Sequence, residues 1–309
     1  MTTMQLGKVL VTGASGLMGS YVVAELTGRA EIVGFDIVAP KGPSTIGRFV
    51  QGNIEDIDSV CEAVVGCDAV IHVAARPNIW SGAGHEIIRT NVIGTWNVLQ
   101  AAEDAGVKRV VVTSSDSVVG FTVLEGAMIP PEYLPIDNQH PLHPTDPYAL
   151  SKVLCEQTAR AFLERGKLEV TVLRPVYVLY PEFECEVLAR AANPKDYKGP
   201  AAGGRQPAGG GVMWHYIDPR DLARAFRLAL EANEPQFGPF FICGPNILAP
   251  EPTIERLAEK MDGKRIPVKA PTVYEASPFA PLYDLPGARD GLGFEAQHDM
   301  REHLALGAS

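Results

Sequence analysis

The sequence predicts an α/β protein: a doubly wound parallel sheet with a smaller C-terminal lobe. Three observations carry this reading. Short apolar, β-branched runs alternate with helical patterns as far as Pro175. A glycine-rich turn lies at the first strand–helix junction. Beyond Pro175 the alternation weakens, and glycine and proline become frequent. Continuous β-branched strands separated by helices belong to a parallel sheet covered on both faces.

The elements follow in order. KVLVTG (Lys8–Gly13) reads as the first strand, and GLMGSYVVAELT as its helix. EIVGFD (Glu31–Asp36), RFVQGN (Arg48–Asn53), DAVIHVAA (Asp68–Ala75), KRVVVTSS (Lys108–Ser115) and LEVTVLRP (Leu168–Pro175) continue the strands. Helices are expected near 56–65, 86–105 and 147–165. The last opens at TDPYALSK, where Asp146 suits the N-cap and Pro147 the first helical position. Residues 1–175 form the nucleotide-binding part, and 176–309 a smaller substrate-binding lobe partly interleaved with the sheet. In that lobe IDPRDLARAFRLALE (Ile217–Glu231) is an amphipathic helix capped by Asp218, and GPAAGGRQPAGGG (Gly199–Gly211) reads as a mobile loop.

Composition narrows the function. The 309 residues are 46% hydrophobic and 21% charged, enough for a substantial core. With 27 basic against 37 acidic residues the net charge is −10, which repels nucleic acid and anionic membranes. The 5 cysteines form no C-x-x-C pair, so a reduced cytoplasmic setting and no metal site are expected. No signal sequence and no apolar run of about 18 residues is present, so no membrane span is expected.

The turn VLVTGASGLMGSYV places Gly13, Gly16 and Gly19 between strand and helix, a Rossmann-type phosphate cradle. Gly13 permits the tight turn, Gly16 the approach of a pyrophosphate, and Gly19 close helix packing. Asp36 ends the second strand, where a carboxylate holds both ribose hydroxyls and repels a 2′-phosphate; NAD is therefore expected over NADP.

The chemistry is read from Ser115, Tyr148 and Lys152. Ser114 and Ser115 end a strand at the carboxyl side of the sheet, where ligands of such sheets bind. Tyr148 and Lys152 stand four residues apart, on one helix face. A free tyrosine has a pKa of about 10 and is a poor base at neutral pH. A lysine one turn away and a positive nicotinamide ring stabilise its anion.

With these motifs the chain resembles the extended short-chain dehydrogenases/reductases of the NAD-dependent epimerase/dehydratase family. TGASGLMG, GNIED (with Asn53 where the family usually has Asp), HVAA, NVIGTWNVLQAA, TSSDSVVG, PYALSK and LRP carry the resemblance over residues 8–181. WHYIDPRDLARAFRLALE extends it to about residue 232. The resemblance implies that Tyr148 is the acid/base, that Lys152 binds the nicotinamide ribose, that Ser115 polarises the substrate oxygen and that Asn91 supports a water relay. It implies further cofactor contacts from Ser15, Leu17, Met18, Asn53, Ile54, Val73, Ala74, Ala75 and Pro175. It also implies a homodimer through helices 86–105 and 147–165.

Departures from the family's patterns select the chemistry. Sugar-nucleotide dehydratases carry Thr-Asp-Glu where this chain has Ser115, Asp116 and Ser117, so their acid is missing. Nucleotide-sugar epimerases usually carry Asn and Gly where RPVYVLYP has Tyr177 and Tyr180, which implies a smaller pocket. SSDSVVGF is similar to a stretch of the uronate dehydrogenases. There Asp116 disfavours a carboxylate substrate and Arg174 offsets it. Arg76, Ser115, Asp116, Ser117, Arg174 and Tyr177 are the expected substrate contacts, with Trp80 facing the site or packing a loop. His72, His215 and Asp221 read as structural or closing residues, and Arg205 as a loop residue. The resulting expectation is an NAD-dependent oxidoreductase acting on a hydroxyl or hemiacetal carbon of a neutral or weakly charged, carbohydrate-like small molecule. An NAD-dependent sugar epimerase is the alternative, and a non-catalytic NAD sensor a third reading.

Overall fold

Along each strand successive side chains alternate between the two faces of the sheet, and in this chain both faces are apolar. The computed structural model describes residues 6–42, 44–121, 129–193, 213–261 and 264–306. Its strands are β1 (Lys8–Thr12), β2 (Glu31–Asp36), β3 (Arg48–Gln51), β4 (Ala69–His72), β5 (Arg109–Thr113), β6 (Glu169–Pro175) and β7 (Phe240–Ile242). They form one sheet in the order β3-β2-β1-β4-β5-β6-β7, parallel throughout. The chain runs outward from β1 to β3 and returns to place β4 beside β1, so the order reverses between β1 and β4. At that reversal the carboxyl ends of the strands open a crevice.

The helices are α1 (Leu17–Leu26), α2 (Ile57–Val64), α3 (Gly84–Ile88), α4 (Gly94–Asp104), α5 (Pro147–Glu164), α6 (Glu184–Ala192), α7 (Pro219–Glu231), α8 (Thr253–Lys260), α9 (Pro271–Ala276), α10 (Leu285–Leu292) and α11 (Met300–His303). Val9 and Val11 pack in one core with Val22 and Leu26 of α1 and Phe226 and Leu230 of α7. Leu10, between them in sequence, packs in the other core with Val60 of α2, Leu99 of α4 and Phe162 of α5.

The structure refines the sequence reading in three places. The helix expected over 86–105 is α3 and α4 joined by a π-helical segment, Arg89–Ile93. A π segment carries extra residues in a turn and redirects the side chains around it. β7 was not legible, because three residues carry no measurable alternation; it registers Phe240 against Leu173 of β6. The sheet therefore takes its last strand, and α7 on its face, from beyond Pro175. Isolated bridges pair Leu134 with Val268 and Ile136 with Tyr283, tying the segment ahead of α5 to the C-terminal part. The loop Gly199–Gly211 and Arg205 lie outside the described residues.

Candidate active site

The turn after β1 fits only glycine at two points. Gly13 has φ +73°, and a Cβ there would stand 2.9 Å from the Ala74 backbone. A Cβ on Gly19 would stand 1.9 Å from the Gly13 carbonyl oxygen, so α1 is seated directly on the turn. Gly16 is the N-cap of α1 and offers no side-chain cap, which leaves the helix N-terminus open to an anion. Asp36 is held at the end of β2: its carboxylate accepts the Ser15 N–H at 3.0 Å and the Val38 N–H at 3.2 Å.

A cavity of about 710 Å³ opens at this crevice. It is lined by Gly13, Gly16, Leu17, Met18 and Gly19 of the turn, by Asp36, and by Asn53 and Ile54 after β3. Val73, Ala74, Ala75 and Arg76 line it after β4, as do Ser115, Asp116 and Ser117 after β5. Tyr148 and Lys152 of α5, and Pro175 and Tyr177 around the end of β6, line it too, with Trp80 and Tyr180 beside them.

The local sequence explains how the reacting groups are aimed. Asp146 caps α5 by accepting the Ala149 N–H at 2.8 Å, and Pro147 opens the helix, so Tyr148 and Lys152 stand on its first turns. Lys152 is buried; its Nζ donates to the Thr113 carbonyl at 2.8 Å and lies 5.8 Å from the Tyr148 ring centroid. Ser115 caps the short turn that follows β5, accepting the Ser117 N–H at 3.2 Å, and its hydroxyl donates to Asp116 at 3.3 Å. Burial pushes the Tyr148 phenol up, a hydrogen bond with Ser115 opposes this, and the Asp116 and Asp146 charges push it further up. Burial pulls the Lys152 ammonium down, against the neighbouring Cys155 and Glu156. In the protein alone Tyr148 is therefore a neutral phenol at neutral pH.

Three expected residues stand elsewhere. Arg174 does not line the cavity: it is 2% exposed and forms a bidentate pair with Glu156 of α5, both contacts 2.8 Å. Glu156 also accepts the Ser114 hydroxyl at 2.6 Å, so the pair pins β5, β6 and α5 together behind the site. Asn91 is buried away from the cavity, and its amide is used structurally. It bonds the Arg76 N–H at 2.8 Å, the Arg76 carbonyl at 3.1 Å and the Ser151 hydroxyl at 2.8 Å. Its side chain therefore clamps the loop after β4 to α5. Ser15 acts through its N–H on Asp36, outside the cavity lining.

Other residues have structural duties. His72 bridges the hydroxyls of Thr12 (2.8 Å) and Thr95 (3.1 Å), and burial pulls its imidazole down to about 3. His215 accepts the Leu282 N–H, Asp218 caps α7, and Asp221 accepts the Gln297 and His298 N–H groups. Sequence reasoning missed Phe183 and Leu222, which line the cavity. It also missed Tyr283, whose hydroxyl donates to the Asp116 carboxylate at 2.8 Å. Leu222 lay in a recognised amphipathic helix; Phe183 and Tyr283 carried no periodic signal.

The residues present fit a dinucleotide: a turn intolerant of side chains, an open helix N-terminus and a carboxylate at the end of β2. Residues 9–243 match the model of the NAD dependent epimerase/dehydratase family. The chain belongs to this family.

Within the epimerase/dehydratase family its relatives are chemically diverse. Tetraketide alpha-pyrone reductase 1 of Arabidopsis thaliana is 26% identical over 84% of this chain and 83% of that enzyme. Uronate dehydrogenase of Pseudomonas putida is 30% identical over 56% of this chain and 62% of that enzyme. Among solved structures, MoeE5 in complex with UDP-glucuronic acid and NAD superposes with a TM-score of 0.67, at 25% identity over 97% of each chain. A short-chain dehydrogenase/reductase from Agrobacterium tumefaciens with bound NAD gives 0.66, at 25% identity over 96% of this chain and 95% of that one. The protein is thus an NAD-dependent enzyme of the extended short-chain dehydrogenase/reductase type. Among its described residues no helix is long and apolar enough to cross a membrane.

Proposed function

We propose that the chain is a dehydrogenase that moves hydride at a hydroxyl or hemiacetal carbon of a sugar-like substrate, with Tyr148 as acid/base. The observation that carries this reading is the opening of Ser115, Tyr148 and Lys152 onto one cavity with the glycine turn and Asp36. NAD, when bound, supplies the hydride acceptor or donor and a positive ring in its oxidised form. Ser115 holds the substrate oxygen. In oxidation Tyr148, as phenolate, takes the hydroxyl proton while the C–H electron pair leaves as hydride. In reduction the neutral Tyr148 returns that proton to the carbonyl oxygen. Lys152 favours the phenolate through its charge.

Tyr177 and Tyr180 line the cavity where family epimerases carry Asn and Gly, which favours net oxidation over a sugar-turning cycle. Incubation with NAD⁺ and candidate sugars should accumulate free NADH. Tyr148→Phe should cut kcat by about 10²- to 10⁴-fold while NAD still binds. Stereochemical conversion of a sugar without NADH would replace the reading with an epimerase.

The same reading pairs two copies through α4 and α5. Ile93, Trp96, Leu150 and Leu154 are 37–47% exposed on this face, an apolar patch suited to self-association. Light scattering should return the mass of two chains, and a one-chain mass would remove the dimer. A cytoplasmic location belongs to this reading too, since all 5 cysteines are free and the cofactor is intracellular.

A further inference from the structure

We propose that Tyr283 is a positioning residue of the active site: from outside the cavity it fixes the Asp116 carboxylate and, through it, the Ser115 hydroxyl. This rests on Ser115 and Tyr148 being the reacting pair of the reading above. The first ground is a chain of polar contacts. The Tyr283 hydroxyl donates to one oxygen of Asp116 at 2.8 Å, and the Ser115 hydroxyl donates to the other at 3.3 Å. Ser115 is in turn hydrogen-bonded to Tyr148. Ser115, Asp116 and Tyr148 line the cavity, whereas Tyr283 does not. The short contact anchors the carboxylate. The long one is easily given up, which lets the Ser115 proton turn to a substrate oxygen.

The second ground is how firmly Tyr283 is itself held. It is buried, and its ring stacks on Phe241 of β7, 4.7 Å between centroids and 22° between planes. The His215 ring lies 4.7 Å from it on another side. Its backbone neighbours are pinned as well. The Ile136 N–H donates to the Leu282 carbonyl at 2.6 Å, and the Asp284 N–H to the Ile136 carbonyl at 2.9 Å. The Leu282 N–H donates to His215 at 3.1 Å. Ile136 lies on the segment that leads into Asp146 and α5, so Tyr283 and Tyr148 are set in one frame.

The third ground is charge. Burial, and then the Asp116 charge, push the Tyr283 phenol well above its ordinary value, so it stays a neutral donor. A donor on the far oxygen shares the charge of the carboxylate and weakens its hold on the near side. The groups that face Tyr148 are Ser115 and Asp116 after β5, Asp146 ahead of α5, and Lys152 and Cys155 on α5. Burial pushes the Tyr148 phenol up, Ser115 pulls it down, and Asp116, Asp146 and Cys155 push it further up.

The experiment reads the ionisation of Tyr148 itself. Tyrosinate absorbance of the NAD⁺-loaded protein is followed as pH rises, and the titration of the matching Tyr148→Phe protein is subtracted, which isolates one phenol among 9. Tyr283→Phe keeps the ring, its stacking and the backbone bonds and removes only the donor; stoichiometric NAD binding confirms that the variant is folded. The Tyr148 midpoint should rise by roughly half a pH unit, because the carboxylate then bears more fully on the phenolate. With Asp116→Asn already in place, Tyr283→Phe should leave the midpoint where it is. Any other contact of Asp116 is common to both members of each pair and cancels. With aldoses and NAD⁺, Tyr283→Phe should also lower kcat about tenfold, and far less when Ser115→Ala is already present. An unmoved midpoint, or an equal shift with and without the Asp116 carboxylate, would overturn the inference, as for a tyrosine that only packs. If no sugar yields NADH, the oxidoreductase reading falls, while the midpoints still decide the role of Tyr283.

Discussion

Asp146 serves two purposes at once. It caps α5 with its carboxylate, and that charge stands near enough to Tyr148 to resist formation of the phenolate. An asparagine caps a helix nearly as well and carries no charge. In Asp146→Asn the repulsion is relieved, so the Tyr148 pKa falls. The limb of the oxidation profile that rises with pH should then move to lower pH, with the fold unchanged. A limb that stayed in place would mean that another group sets it. At this scale the sequence was informative wherever a residue sat in a turn or cap of known chemistry, as Gly13, Asp36, Asp146 and Tyr148 do. It expected Arg174 and Asn91 at the site, and neither lines the cavity. Which way a strand arginine points is decided by its partner, here Glu156, 18 positions earlier on a helix. Asn91 belongs to a π segment whose phase no helical pattern reveals.

Among the elements, α5 carries the most. It presents Tyr148 and Lys152 to the crevice and holds Glu156 behind them, where Arg174 and Ser114 meet. In Glu156→Ala the guanidinium of Arg174 is left buried without its counter-charge, a loss of about 3–5 kcal/mol. The urea midpoint should fall accordingly, and Glu156→Gln, which keeps part of the hydrogen bonding, should fall less. An unchanged midpoint would mean that the pair does not hold the sheet to the helix. The first six strands were legible as continuous apolar, β-branched runs, and the helices between them as longer periodic stretches. β7 and most helices after α7 were not: they are short, and their places are set by what they pack on. Phe240 and Ile242 belong to a strand only because β6 offers an unpaired edge.

For the whole molecule, two buried histidines link stability to pH. Burial pulls the imidazoles of His72 and His215 down from 6.5 to about 3. Between those values the unfolded chain binds protons that the folded chain does not. Stability is therefore full above about 6.5 and declines as pH falls toward about 3. Each histidine contributes up to about 1.4 kcal/mol per pH unit in that window. Urea midpoints measured from neutral pH downward should trace this slope, and a flat response would exclude neutral burial of both.

The hydrogen bond from Tyr283 to Asp116 joins residues 167 positions apart. Every residue expected to hold the cofactor lies at or before Pro175. During synthesis the expected cofactor contacts are thus all made well before the chain reaches Tyr283. At about 5–20 residues per second that interval lasts on the order of 5–20 s. A chain ended at Pro175 would lack both this bond and Phe226 and Leu230 of α7, which share a core with β1 and α1. The carboxylate beside Ser115 thus gains one of its fixed partners only late in the life of the polypeptide.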